Sequence, residues 1–260
     1  MGGILIAGLI VGGTGLIIGV LLGVAGKFFS VEIDEKEAKV REVLPGNNCG
    51  GCGFAGCDDY AKAVASGKAE PNACPVGGAK VAEEIGKILG IEVSVTKNVA
   101  YIKCSGDCNV APDKYEYHGS KSCIDAANVT GAGPKKCAYG CMGLGSCANV
   151  CEFGAISIVD GIAKIDPDKC VACGKCTKVC PKKLIEIIPY DAKYRVSCSN
   201  KDKGKEVKAV CSVGCIGCGL CAKNCKFDAI VIEDNVAKID YSKCKNCGLC
   251  ASKCPVKIIK

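Results

Sequence analysis

Hydrophobic and polar positions divide the chain into three regimes. From Gly2 to Gly26 no side chain is charged, and the apolar run is long enough to cross a bilayer core as a helix. A cleaved signal peptide would need a basic start and a shorter apolar core, whereas the first basic residue here is Lys27. Lys27 after an uncharged span predicts an uncleaved single-pass anchor in the cell membrane, with everything beyond it in the cytoplasm. Gly8 and Gly12, and likewise Gly15, Gly19 and Gly23, recur at every fourth position and line one side of such a helix. Small residues at this spacing let another membrane helix approach closely. The second regime is charged, Lys27 to Arg41, and reads as a tether ending in the turn Pro45-Gly46-Asn47-Asn48. Beyond it, Asp58–Ser66 and Ala79–Leu89 read as short helices. In the third regime the alternation Ala155-Ile156-Ser157-Ile158 and Ile162-Ala163-Lys164-Ile165 around Asp160-Gly161 predicts a β-hairpin.

That hairpin lies inside an internal repeat. The stretch Cys151–Pro181 recurs at Cys225–Pro255, with Phe, Ala-Ile, Ala-Lys-Ile-Asp and Lys-Cys-x2-Cys-Gly-x-Cys-x3-Cys-Pro in both copies. The chain holds 25 cysteines in 260 residues. A short secreted chain this rich in cysteine reads as a disulfide scaffold. Here most cysteines fall in dense C-x2-C-x2-C-x3-C runs, which suit iron–sulfur ligation better than pairing with one another. Zinc sites join two separated C-x2-C pairs instead. Iron–sulfur clusters in turn imply a reducing compartment. The formal charge of +7 is a poor guide to partners, because a [4Fe–4S]2+ core held by four thiolates carries about −2. The lysine excess among the cysteine runs offsets that charge, or greets an acidic partner.

The cysteines sort into ligand sets by spacing. Cys49, Cys52, Cys57 and Cys74, with glycines between them, suffice for one [4Fe–4S] cluster. In a dicluster ferredoxin unit the fourth cysteine of each run ligates the other cluster. The second copy therefore divides into Cys215, Cys218, Cys221 with Cys254, and Cys225 with Cys244, Cys247, Cys250. In the first copy, Cys151 joins Cys170, Cys173 and Cys176, but Leu144 stands where the second copy has Cys218. Cys137 is the nearest spare thiol and is expected to complete Cys141, Cys147 and Cys180; the alternative is an incomplete cluster. Cys211 occupies the matching position in the second copy, where no ligand is missing. Cys104, Cys108, Cys123, Cys198 and Cys211 remain. Four of these five are enough for a sixth cluster, the alternative being reduced structural thiols. His118, the single histidine, reads as a surface residue.

The expected fold class is α+β, built of small iron–sulfur domains behind a transmembrane helix. The boundaries are an anchor at 1–26, a tether at 27–48 and a four-cysteine domain at 49–92. An irregular cysteine-containing segment at 93–136 precedes the first dicluster ferredoxin unit at 137–190. A linker at 191–210 carries Cys198, and the second unit fills 211–260.

This order of parts resembles, over essentially the whole chain, the B subunit of the Rnf complex, a membrane ferredoxin:NAD oxidoreductase that pumps Na+ or H+. The single anchor, the Cys49/Cys52/Cys57/Cys74-Pro-Val-Gly-Gly domain and the ferredoxin-like units carry the resemblance. The simplest family members have one dicluster unit, and this chain has two, like the longer members. The resemblance implies that the chain accepts electrons from reduced ferredoxin and passes them to membrane-embedded partners, with nicotinamide and flavin on other subunits. The residues agree: there is no G-x-G-x-x-G after a strand, no P-loop and no catalytic constellation. No nucleic-acid role is expected. The rival readings are a stand-alone membrane polyferredoxin serving another reductase, and an iron–sulfur redox sensor or scaffold. Lys223, Lys226, Lys243, Lys245 and Lys253 surround the last cysteine runs and mark the expected docking end for ferredoxin.

Overall fold

A stretch with no charge and almost only aliphatic residues and glycine favours the helix, which satisfies its own backbone in an apolar phase. The computed structural model describes residues 2–28, 34–93 and 97–260, and its first element, α1, spans Gly2–Phe28. Within it, Gly8–Gly26 has a mean hydropathy of 2.2 over 19 residues and none of it is buried against the rest of the chain. This helix is long and apolar enough to cross a membrane. Met1 and residues 29–33 and 94–96, assigned by sequence to the anchor, the tether and the irregular segment, lie outside the described residues.

The charged stretch is less of a tether than its composition implies. Asp34 accepts a hydrogen bond from the Lys36 amide at 2.9 Å and caps α2, Glu35–Val43. Val40 on this helix is fully buried, and Leu44 just past its end is nearly so. Both pack into one core with Tyr60, Ala61 and Val64 of α3, Cys57–Ala65, and Ile85 of α4, Gly78–Leu89. Two apolar positions four apart are enough to give a short charged helix a buried side. Residues 34–44 therefore belong to the four-cysteine domain, which corrects the boundary at 48.

The irregular segment also contributes structure. Strand β1, Asn98–Ile102, precedes the short helices α5, Cys123–Ala127, and α6, Ser146–Asn149. Strands β2, Ile156–Val159, and β3, Ile162–Ile165, form the expected hairpin, followed by α7, Lys175–Val179, and β4, Ile185–Pro189. β1 returns to pair antiparallel with β4, setting Ile102 opposite Ile185. Residues 98–102 are thus the outer strand of the first ferredoxin unit.

After α8, Gly204–Val210, the second unit repeats the first with α9, Leu220–Lys223, β5, Ile230–Glu233, β6, Val236–Ile239, and α10, Leu249–Ser252. Registers match: Ile156 faces Ile165 as Ile230 faces Ile239. Both hairpin turns have two residues at positive φ, Asp160-Gly161 at 52° and 73° and Asp234-Asn235 at 48° and 61°. That is the primed turn whose twist matches the strands. The outer pairing recurs as a single antiparallel bridge between Val196 and Ile259. Each unit buries its own core of hairpin aliphatics and cysteine side chains.

Candidate metal centres

Short helices that start at glycine set the spacing of the thiols. Gly145, Gly174, Gly219 and Gly248 all adopt the left-handed conformation, at φ 84°, 75°, 72° and 79°, and α6, α7, α9 and α10 follow directly. Each of these helices carries one buried cysteine, in order Cys147, Cys176, Cys221 and Cys250. The loops before them supply the other thiols of each run.

Three of the expected quartets each line one small cavity. Cys151, Cys170, Cys173 and Cys176 surround the first. Cys225, Cys244, Cys247 and Cys250 surround the second, and Cys215, Cys218, Cys221 and Cys254 the third. Aliphatic side chains such as Ile156, Ile230 and Ile232 complete the walls. Cys57 at the start of α3 and Cys74 share the core of the four-cysteine domain with Cys52. Asn48 fixes that loop by accepting the Cys57 amide at 2.8 Å.

The remaining quartet differs from the sequence expectation. The fold does not bring Cys137 together with Cys141, Cys147 and Cys180; it brings Cys123. The Cys123 amide donates to Ser146 Oγ at 2.8 Å, which ties the start of α5 to the helix that carries Cys147. Burial first, then the neighbouring thiols of Cys141, Cys123 and Cys180, pushes Cys147 up to about 12. Cys137 turns the other way, into a small cavity shared with Cys104, Cys198 and Cys211. Cys108 is exposed and lines none of these cavities. His118 is exposed beside Glu116, at 3.6 Å.

The electrostatics of these sites suit a polycationic core. Burial raises Cys104 to about 12 and Cys176 and Cys221 to about 11, with nearby thiols adding to the effect. Thiols in such surroundings ionise readily only when a cation shares the site. Backbone amides already point at the sulfurs: Gly77 N–H at Cys74 Sγ (3.4 Å), Ala100 N–H at Cys170 Sγ (3.3 Å) and Ala229 N–H at Cys225 Sγ (3.4 Å). Such donors stabilise thiolate charge and help to set reduction potentials. Four thiols border each cavity, and among the described residues no group of three or more His, Cys, Asp or Glu is gathered for a single metal ion, which fits a cube of iron and sulfide better than one tetrahedral ion.

The four-cysteine domain approaches the first ferredoxin unit closely at Gly51. A Cβ on Gly51 would lie 2.8 Å from Pro75 Cγ and 3.3 Å from the Cys173 carbonyl oxygen. Beside this seam, the Lys175 ammonium pairs with Glu152 at 2.5 Å, and its pKa is raised by Glu152 and then by Cys173 and Cys49. Gly51 and Lys175 carry no sequence signal that marks them as functional. Cys123 was legible only as an unassigned thiol.

Folded in this way, the chain is an iron–sulfur protein of the multi-ferredoxin class. A family described as an Fe–S cluster matches residues 44–76, and 4Fe-4S dicluster domains match residues 136–184, 214–258 and 162–226. Over 252 residues the chain is 46% identical to the B subunit of the Na(+)-translocating ferredoxin:NAD(+) oxidoreductase complex of Acetobacterium woodii, covering 96% of this chain and 75% of that protein. It is 41% identical to the B subunit of the ion-translocating oxidoreductase complex of Methanosarcina acetivorans, covering 96% of both chains. The B subunit of the proton-translocating ferredoxin:NAD(+) oxidoreductase complex of Clostridium ljungdahlii is 43% identical, with 88% of this chain and 82% of that one covered. The chain belongs to this family of B subunits of ion-translocating oxidoreductase complexes.

Proposed function

We propose that this chain is the electron-transfer subunit of an ion-translocating ferredoxin:NAD oxidoreductase, relaying electrons from reduced ferredoxin to membrane partners. The observation that supports this reading is that groups of four cysteines border small cavities beside ferredoxin-type hairpins, in a chain with a helix able to span a membrane. Five quartets hold [4Fe–4S] clusters in this reading: Cys49/Cys52/Cys57/Cys74, Cys123/Cys141/Cys147/Cys180, Cys151/Cys170/Cys173/Cys176, Cys215/Cys218/Cys221/Cys254 and Cys225/Cys244/Cys247/Cys250. A [4Fe–4S] cluster bound at such a quartet would supply one-electron storage. The chain's own residues bind, bury and space these centres, and the amides directed at sulfur tune them.

Electrons enter at the second ferredoxin unit. Among the thiols of these quartets only Cys218 and Cys247 are exposed, and both belong to that unit. Lys223, Lys226, Lys245 and Lys253 are exposed around them. An acidic ferredoxin is steered by such a surface, in a manner that salt screens over about 8–10 Å. Positive charge after the apolar span supports a cytoplasmic position for the cluster domains. The test is a Lys223→Glu/Lys226→Glu/Lys245→Glu variant in the complex, assayed for ferredoxin oxidation across a salt titration. Slower association at low salt with unchanged iron content supports the reading. An unaltered rate throughout the titration moves the entry point elsewhere.

A further inference from the structure

The cavity between the two ferredoxin units is lined by Cys104, Cys137, Cys198 and Cys211, none of which belongs to the five quartets. We propose that these four thiols hold a sixth [4Fe–4S] cluster, shared between the repeats, which joins the two dicluster units into one electron path. The inference rests on the five-cluster reading above and extends it to residues outside the dicluster pattern.

The repeat itself supplies the strongest argument. Cys137 and Cys211 stand at the same repeat position, four residues before Cys141 and Cys215. Cys104 and Cys198 each lie two residues beyond an outer-strand residue, Ile102 and Val196, whose partners Ile185 and Ile259 are themselves equivalent. Each repeat therefore contributes one matched pair of thiols, and neither pair completes a site alone. Independent structural thiols have no reason to recur in register and converge on one cavity. The repeat also explains why Cys211 persists in a unit with no missing ligand.

Hydrogen-bond donors face these sulfurs. The Cys141 amide donates to Cys104 Sγ at 3.4 Å. Asn200, almost fully buried, donates its Nδ2 to Cys137 Sγ at 3.4 Å. A Cβ on Gly106 would sit 3.5 Å from Cys211 Sγ and 3.7 Å from Cys104 Sγ, so one glycine separates thiols from different repeats. Lys135, 4% exposed, reaches the cavity wall, donates to the Ala111 carbonyl at 3.1 Å and pairs with Asp113 at 3.4 Å. A buried ammonium beside a site of net negative charge offsets the cost of burying both.

Cys141 belongs to the flanking quartet of the first unit, and its amide donates to Cys104 Sγ. A cluster held here would supply a one-electron station between the units, the second unit losing one electron as the first gains one, with no bond made or broken.

The test uses the full chain reconstituted anaerobically, with iron and sulfide counted and reduced centres titrated by electron paramagnetic resonance. About 24 iron atoms are expected in the wild type and in Cys108→Ala, and about 20 in Cys104→Ala/Cys198→Ala. Equal iron in wild type and the double variant, or a loss of about four in Cys108→Ala, overturns the bridge. About 20 iron atoms in both wild type and double variant does so while leaving the five-cluster reading intact, and a wild type without iron and sulfide overturns that reading itself. Asn200→Leu keeps every thiol and covers the case in which the double variant does not fold. It should lower the midpoint of one centre and leave the others in place. A titration superimposable on the wild type also overturns the proposal.

Discussion

Replacing Gly51 by alanine and then by valine loads the seam between the four-cysteine domain and the first ferredoxin unit. Gly51 is not among the residues at positive φ, so a side chain there meets no backbone strain, and its effect comes from contact alone. The new Cβ would lie 2.8 Å from Pro75 Cγ, 3.3 Å from the Cys173 oxygen and 3.4 Å from Cys173 Cα. Neither side gives easily: Pro75 is ring-locked directly after Cys74, and Cys173 lies in the loop of the facing quartet. The strain is relieved by opening the seam. Overpacking of this kind costs about 1–3 kcal/mol, which lowers the ratio of closed to open seam about 5- to 150-fold. The valine variant lies at the upper end of that range. Electron arrival at the N-terminal quartet should slow in the same order, alanine before valine, while iron content stays at the wild-type value. Rapid freeze-quench electron paramagnetic resonance after mixing with reduced ferredoxin measures it, with Cys49→Ser identifying the N-terminal signal. A Gly51→Val chain that fills this centre at the wild-type rate would refute the seam as the point of transfer.

Cys123→Ser should perturb one centre of the first unit, seen as an altered spectrum or loss of about four iron atoms, and Cys108→Ser should do neither; a silent Cys123→Ser restores Cys137 as the fourth ligand. Val40→Ala removes methyl groups from a fully buried position and should destabilise the four-cysteine domain by about 1–3 kcal/mol, read as earlier bleaching of its visible absorbance in urea. A bleaching midpoint equal to the wild type would return residues 35–44 to the role of a loose tether. Protease added to the cytoplasmic face of native membranes should release a soluble brown fragment, and full protection from that side would reverse the assigned topology.

Where one physical signal dominated, the sequence spoke clearly. The uncharged run became α1, and the strict alternation around Asp160-Gly161 became a hairpin with the primed turn that the two residues demand. The runs Cys170–Cys176 and Cys244–Cys250 each carry three thiols within one loop and helix, so the grouping of those three follows from local spacing. Long-range closure was less legible. Residues 98–102 gain their strand partner from β4, far along the chain, and no local pattern names that partner. The choice between Cys123 and Cys137 depends on a side-chain hydrogen bond to Ser146, which spacing does not encode. Helix α2 was hidden because its buried face rests on two residues among many charges. The matching positions of Cys137 and Cys211 were visible from the start, and their meaning required the fold that sets them face to face.

The burial of α2 limits how far the four-cysteine domain can stray from α1. α1 ends at Phe28 and α2 begins at Glu35, so residues 29–34 are all that separate the apolar helix from a packed domain. Even fully extended, that segment reaches about 20 Å. With α1 in a membrane, the N-terminal quartet would stay within that distance of the apolar phase, and its search for a partner there would run along a surface rather than through a volume. Lengthening the leash with a glycine–serine insert after Phe28 would widen that range without altering any cysteine.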